Sequence, residues 1–108
     1  MSTELVFQET GNHLALSGLL TIEYAQQLQD LLSRIVGCGD HVFVSLAQVE
    51  DVDVAGLQVL YAARIKVLRN NRQFIWTEIS AACGENAALA GMTRFLGFQE
   101  ATEFSLPE

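Results

Sequence analysis

The stretch EDVDVAGLQVLYAARIKVLRNN, Glu50 to Asn71, sets three carboxylates directly before a long run of apolar residues at helical spacing. This run predicts a helix of about four turns that ends near the paired asparagines. Asp53 precedes Gly56 by three residues, so its carboxylate can cap the open N–H groups of the first helical turn. We therefore expect a strand-to-helix junction at Asp53, with Glu50 and Asp51 in an exposed loop.

The residues before this junction predict a hairpin and a first helix. LVFQET (5–10) alternates apolar and polar residues, and Gly11 and Asn12 form a tight turn into HLALSG (13–18). Thr21 is a suitable N-cap for a helix that Gly37 closes. The apolar stripe of that helix consists of Ile22, Ala25, Leu28, Leu32 and Ile35, with Leu31 and Val36 beside it.

Two short apolar segments flank the long helix. HVFVSL (41–46) is typical of a central strand covered on both faces, and QFIWTE (73–78) of a further strand, in which Trp76 is a core residue or a contact residue. A weaker helical pattern covers Ala82 to Phe95, and ATEFSL (101–106) is a candidate last strand or edge. The order β-β-α-β-α-β-α-β predicts an α/β fold whose parallel strands are joined by right-handed crossovers.

Length and charge limit the function. A chain of 108 residues, half of them hydrophobic, predicts a single domain over residues 1–108. The excess of 13 acids over 6 bases disfavours nucleic acid as a partner. We find no signal-peptide pattern at the N-terminus and no apolar run of membrane-spanning length, so we expect a cytoplasmic protein without direct membrane insertion.

The chemistry-bearing residues are scattered. Cys38 and Cys83 have no metal-ligand spacing, and His13 and His41 are isolated from other ligands. We recognise no nucleophile–base pair and no glycine-rich phosphate loop, and only one glycine stands in AGLQVL. We therefore expect neither an enzyme nor a cofactor or metal, although nucleotide binding stays open.

The segment HVFVSLAQVEDVDVAGLQVLYAARIKVLRNNRQFIWTEIS (41–80) resembles the STAS domain of bacterial anti-sigma factor antagonists and sulfate transporters. Asp53, Gly56 and Leu57 match the family pattern Asp-Ser/Thr-x-Gly-Leu. Gly18 suits the turn before the first helix, and RFLGF (94–98) is similar to a late turn of the family. The resemblance implies the STAS fold, a small mixed, mainly parallel β-sheet with three to four helices.

One departure from the family concerns its phosphorylation switch. The resemblance places hydroxyl residues at the two positions after the motif Asp, the second being the serine that a kinase phosphorylates. Val54 and Ala55 stand there, so we expect no phosphorylation at either position. Ser45 replaces an Asp of the family, and it either hydrogen-bonds locally or is a displaced phosphorylation site.

The resemblance implies a non-enzymatic protein–protein interaction module in signal transduction, and DVAGLQ (53–58) is close to the version found with chemotaxis proteins. The expected partner is an anti-sigma protein, a serine kinase-like protein or a chemotaxis kinase. A homodimer through an exposed sheet edge is also open. The alternative is a small regulatory subunit of a lipid-trafficking ABC transporter. The predicted partner-binding residues are Asp51, Asp53, Val54, Ala55, Gly56 and Leu57.

Val52 and Val54 lie on either side of Asp53. Either both pack inward, or at least one remains exposed and adds to an interface.

Overall fold

The computed structural model describes residues 4–37 and 39–100, and its strands form one sheet in the order β1-β2-β3-β4. β1 is antiparallel to β2, whereas β2, β3 and β4 are parallel to one another. The predicted mixed, mainly parallel sheet is confirmed, and the predicted strand at 101–106 lies outside the described residues. The elements are β1 Leu5–Thr10, β2 His13–Leu20, a 3-10 turn Ile22–Tyr24, α1 Ala25–Val36, β3 Val42–Val52, α2 Val54–Arg69, β4 Phe74–Ile79, α3 Ala81–Leu89, α4 Thr93–Leu96 and a 3-10 turn Phe98–Glu100.

The predicted hairpin is confirmed, because Thr10 pairs with His13 across Gly11 and Asn12. Gly11 has a φ of +60°, a left-handed conformation that glycine adopts without steric cost. The expectation for Gly18 is wrong: it lies within β2, not in a turn before the helix. Its φ is +81°, and the register of β2 against β3 shifts immediately after it. Gly18 therefore serves an irregularity inside the strand.

The first helix begins later than predicted. Residues 22–24 form a 3-10 turn, α1 starts at Ala25, and the Thr21 side chain makes no capping hydrogen bond. Ile22, expected on the buried stripe, is 67% exposed. The tighter 3-10 turn rotates Ile22 out of line with the buried face of α1. That face consists of Leu28, Leu31, Leu32 and Ile35.

β3 lies between β2 and β4, as predicted, but only one of its faces is fully covered. Val42, Val44 and Leu46 are buried, whereas the alternate residues Phe43 and Ser45 are only half-buried. The β2-α1-β3 and β3-α2-β4 crossovers proceed in the same direction along the sheet, so their shared right-handedness puts both helices on one face. In the described part of the chain the other face is open, and its residues Phe43, Ser45 and Thr77 are only half-buried.

β3 is also longer than predicted and continues to Val52. Glu50 and Asp51 therefore lie at the end of a strand, not in a loop, although both are exposed. The parallel partner strand continues with them, since Leu19 pairs with Asp51 and Leu20 with Val52.

The region after β4 closes the end of the core. Trp76 is buried, its indole N–H donates to the carbonyl of Leu96 at 2.6 Å, and its ring contacts Phe98 edge-to-face. The core role of Trp76 is confirmed. The single helix predicted over residues 82–95 is instead two, α3 and α4, because the chain turns at Gly91 with a φ of +70°. No helix within residues 4–37 and 39–100 is long and apolar enough to cross a membrane.

Candidate partner-binding site at the start of α2

Asp53 connects two helix starts through one carboxylate. Its backbone is extended, with φ −107° and ψ −178°, and α2 begins at the next residue. One carboxylate oxygen accepts from the N–H of Gly56 at 3.0 Å. The other accepts from the N–H of Ile22 at 2.9 Å, at the start of the 3-10 turn that leads into α1. The predicted capping role is confirmed, and it extends to a second element.

Gly56 allows α2 to start this close to the sheet. A Cβ atom on Gly56 would overlap the carbonyl oxygen of Leu20 and would stand 2.9 Å from its carbonyl carbon and 3.0 Å from a methyl group of Val52. The obstacle is backbone, so a side chain cannot be accommodated by a change of rotamer. Gly56 has a helical backbone, which any residue can adopt. A glycine is therefore needed here for the close approach to the sheet and not for a special backbone conformation.

Asp51 is attached to the neighbouring helix. One of its carboxylate oxygens accepts from the backbone N–H of Val52 at 2.9 Å and from the side-chain amide of Asn86 in α3 at 3.2 Å. The end of β3 is thus connected to α3 as well as to the start of α1. Because Asp51 remains exposed, it keeps an acidic group at the surface beside this connection.

Two apolar side chains remain exposed on either side of Asp53. Val54 is 51% exposed and Ile22 is 67% exposed, whereas Val52 is buried. Of the two possibilities for Val52 and Val54, the structure therefore agrees with the one in which at least one valine remains exposed. Ile22, whose N–H donates to Asp53, and Val54, which follows Asp53 in the chain, thus form a small apolar surface around the carboxylate. We call Ile22, Asp53, Val54 and Ala55 the α2-start surface.

A groove between α1 and α2 leads away from this surface. It has a volume of about 420 Å³, and Ala25 and Ala55 line it near the two helix starts. Small or apolar side chains, including Leu32, Val36, Val59, Ala62 and Ala63, form most of its wall, together with Gln29, Ser33, Gln58 and Lys66. Such a concave, mainly apolar surface can receive an apolar side chain or helix of another protein.

The six residues predicted to bind a partner divide into two groups. Asp51 and Val54 are exposed, and Asp53 and Ala55 are half-buried, so these four lie where another molecule can reach them. Gly56 and Leu57 are buried and shape the start of α2 from below. A partner-binding role remains a prediction for all six.

Sequence reasoning missed Ile22 and Asn86. Ile22 lies 31 residues before Asp53, and Asn86 lies 35 residues after Asp51. Neither contact has a local signal, because each depends on the order and spacing of parallel strands. The one available hint was the position of Ile22 directly after a candidate N-cap.

Ser45 lies on the open face of the sheet, away from the α2 start. Its hydroxyl accepts from the N–H of Ala47 at 3.4 Å, which agrees with the local hydrogen bond that was one of its two open roles. Ser45 also borders two shallow cavities on that face, with volumes of about 330 and 370 Å³. Because β3 continues to Val52, Ser45 is in the middle of the strand and not at its end.

Cys83 is buried, and this burial raises the pKa of its thiol to about 12. The thiol therefore stays protonated and unreactive near neutral pH. Cys38 lies outside the described residues. Within residues 4–37 and 39–100, no group of three or more His, Cys, Asp and Glu residues is arranged to hold a metal ion.

Comparisons with known proteins agree on the architecture. A family model described as Mlab, STAS domain, matches residues 5–98. The anti-sigma factor antagonist SpoIIAA in its unphosphorylated form is similar in structure, with a TM-score of 0.65 at 11% identity over 85% of this chain and 84% of that one. A putative anti-sigma factor antagonist from Thermotoga maritima gives a TM-score of 0.63 at 18% identity, over 83% and 80%.

A third structure, Mglu, gives a TM-score of 0.52 at 18% identity over 66% of this chain. This chain spans only 18% of the length of Mglu. A comparison with curated proteins found no match. At these identities the solved structures establish the shared fold alone. The family model covers most of the chain, so this protein belongs to the STAS domain family.

Proposed function

We propose that this protein is a non-enzymatic interaction module of bacterial signal transduction, and that its partner docks on the α2-start surface. The observation that carries the proposal is the double contact of Asp53, whose carboxylate fixes the starts of both the 3-10 turn and α2. Exposed apolar residues on a rigid support favour docking, because little conformational entropy is lost when they are buried.

The expected partner is an anti-sigma protein, a serine kinase-like protein or a chemotaxis kinase. Two proteins of similar fold are described as anti-sigma factor antagonists, one of them as putative, which supports the first of these. The surface also suits a partner with apolar contact residues and a basic rim, since Ile22 and Val54 are exposed, Asp51 is exposed at the end of β3, and the chain carries a net charge of −7.

We also propose that phosphorylation does not switch binding at the turn. Val54 and Ala55 lack a hydroxyl, so neither can receive the charge of about −2 that a phosphate group adds. The surface would be permanently in an unmodified form. Incubation with ATP and a cognate kinase tests this: we expect no label within residues 50–58, and label there would contradict the proposal.

The docking proposal is tested by affinity capture from native cells with the full chain. Val54→Glu places a charge in the centre of the α2-start surface, so we expect affinity for the recovered partner to fall about tenfold or more, the equivalent of about 1.4 kcal/mol. Leu89→Glu is the matched control, because Leu89 is 86% exposed on α3 and outside the surface. Equal loss in both variants, or none in Val54→Glu, would contradict the proposal.

The second candidate function is a small regulatory subunit of a lipid-trafficking ABC transporter. It stays open because the matching family model is described as Mlab. The same capture experiment separates the two candidates. Recovery of a kinase favours signalling, whereas recovery of an ATPase with a membrane permease favours transport.

A cytoplasmic location, a single domain over residues 1–108 and self-association remain predictions.

A further inference from the structure

β1 is an unprotected edge of the sheet. In the described part of the chain its one neighbour is β2, and the pairing of the two strands runs from Leu5–Gly18 to Thr10–His13 without a register shift. Its six residues, LVFQET, include neither proline nor lysine, and every residue after Leu5 is exposed. Sheet edges are usually blunted by bulges, proline, charged side chains or a covering element, and among the described residues β1 has only the single charge of Glu9, which Arg34 contacts.

The backbone groups that face outward can be identified. The N–H of Leu19 donates to the carbonyl of Glu4 at 3.1 Å, so Glu4 belongs to a hydrogen-bonded pair with β2. Hydrogen-bonded positions alternate along an antiparallel pair, and Thr10 and His13 flank a two-residue turn with the same phase. Val6, Gln8 and Thr10 therefore point their N–H and C=O groups toward β2. Leu5, Phe7 and Glu9 point theirs away from the sheet.

We propose that β1 forms the interface of a homodimer, in which two β1 strands pair antiparallel about a two-fold axis at Phe7. In this register Phe7 is opposite the Phe7 of a second copy, and Leu5 is opposite Glu9 in both directions. All three outward-facing residues then exchange hydrogen bonds, which gives the self-complementary contact of a two-fold dimer. If one β1 strand were shifted by one residue relative to the other, outward-facing backbone groups of one copy would lie opposite inward-facing groups of the other. Larger shifts would leave outward-facing backbone groups without a partner.

Side chains and charges agree with this register. Phe7 is 41% exposed and Val6 42%, so apolar surface on both faces of the edge is available for burial. Arg34 stands over the Phe7 ring at 5.9 Å and contacts Glu9 at 3.6 Å. Arg34 therefore offsets the acid nearest the interface. No acid is opposite another acid in the paired strands, so the direct cross-strand repulsion of like charges is avoided.

The interface is small, which sets its expected strength. A six-residue edge buries less than the roughly 1,200 Å² of a stable standard interface, so we expect dissociation in the micromolar range or weaker. Each copy carries a net charge of −7, so the two copies repel at long range. Salt screens this repulsion, and dimerisation should strengthen between about 0.01 and 0.15 M salt.

Sedimentation of the full chain over a range of concentrations tests the dimer. Phe7→Lys places two ammonium groups next to each other at the two-fold axis and should weaken association about tenfold or more. Gln8→Lys adds the same charge one residue along, on the other face of the strand and opposite Val6, and should have a much smaller effect. Circular dichroism verifies that both variants keep the fold. A chain that is monomeric at millimolar concentration, or a dimer insensitive to Phe7→Lys, would overturn the proposal.

Cross-linking tests the register independently. Residues in a hydrogen-bonded antiparallel pair have Cα atoms about 5.5 Å apart, a distance that a disulfide can span. In a Cys38→Ser background, Phe7→Cys should form an intermolecular disulfide under mild oxidation. Glu9→Cys should not, because its own copy would be about 13 Å away along the strand. Cross-linking through position 9 but not through position 7 would exclude this register.

Discussion

Two strand-to-helix junctions of this protein share the same local capping hydrogen bond but differ in their contacts with the rest of the molecule. Asp53 follows β3 and accepts from the N–H of Gly56 at 3.0 Å, and Ser80 follows β4 and accepts from the N–H of Cys83 at 3.2 Å. Both capping residues have extended backbones, and both bond to the residue three positions ahead. Up to this point each is an ordinary N-cap.

The difference is the second oxygen of the carboxylate. Asp53 also accepts from the N–H of Ile22, in an element 31 residues earlier, whereas the Ser80 hydroxyl caps its own helix. The residue that receives the cap differs too, since α2 has Gly56 where α3 has the buried Cys83. The β3–α2 junction is thus the more tightly constrained of the two, and it is the one with exposed apolar neighbours.

The largest expected effect comes from filling the space at Gly56. Gly56→Ala would put a methyl group into the backbone of Leu20, so we expect a loss of about 3 kcal/mol or more in the free energy of unfolding. At the corresponding position of the other junction, Cys83→Ala removes only a thiol and should cost about 1 kcal/mol. Urea denaturation followed by circular dichroism measures both. Equal losses would remove this part of the contrast.

The next effect separates the two oxygens of Asp53. Asp53→Ala removes both hydrogen bonds and should cost about 2 kcal/mol, near the upper end of measured N-cap losses. Asp53→Asn keeps one accepting oxygen and should cost about half as much. The same denaturation experiment measures them. If Asp53→Asn were as damaging as Asp53→Ala, charge rather than the number of contacts would explain the role of Asp53.

Ser80→Ala should be milder and local. Loss of this cap is expected to cost about 1 kcal/mol and to loosen the start of α3 alone. Amide exchange should therefore increase at Cys83 and leave Ile22 and Gly56 unchanged. A rise in exchange at Ile22 would mean that the two junctions are coupled through the sheet.

The smallest effect concerns pH. Burial raises the pKa of the Cys83 thiol to about 12, above its value of 9.0 in an unfolded chain. Between pH 9 and pH 12 the unfolded state binds fewer protons than the folded state. The stability contributed by the protonated Cys83 thiol is therefore fully present below pH 9 and falls as the pH rises toward 12. We expect a loss of just under about 1 kcal/mol at about pH 9.5, absent from Cys83→Ala. Thermal denaturation between pH 7 and 9.5 measures it, and an identical decline in both proteins would contradict it.

The cap on α2 could be predicted from sequence because it is local. Asp53 and Gly56 are three residues apart, and this spacing alone indicates an N-cap. The contact with Ile22 could not be predicted, because it depends on strand β2 ending beside strand β3. The same holds for the length of β3: its pairing with β2 shifts register opposite Ala15–Ser17 and again opposite Gly18–Leu19. These shifts disturb the alternation of side chains along β3, so Glu50 and Asp51 resembled a loop.

The fold class was easier to predict than the surface. Apolar periodicities located the strands and helices, but they missed the last six residues of β3, the division of the last helical segment at Gly91 and the 3-10 turn after Thr21. Which apolar residues stay outside depended on packing. Ile22 and Val54 both follow apolar patterns, and their exposure results from the turn geometry around Asp53.

The most direct test of the double contact is amide hydrogen exchange at Ile22 and Gly56, measured by NMR in the wild type, Asp53→Ala and Ser80→Ala. If one carboxylate fixes both helix starts, Asp53→Ala should accelerate exchange at both amides, while Ser80→Ala should change neither. Exchange at Ile22 that is unchanged in Asp53→Ala would show that the two starts are held independently, and the proposed rigid α2-start surface would lose its basis.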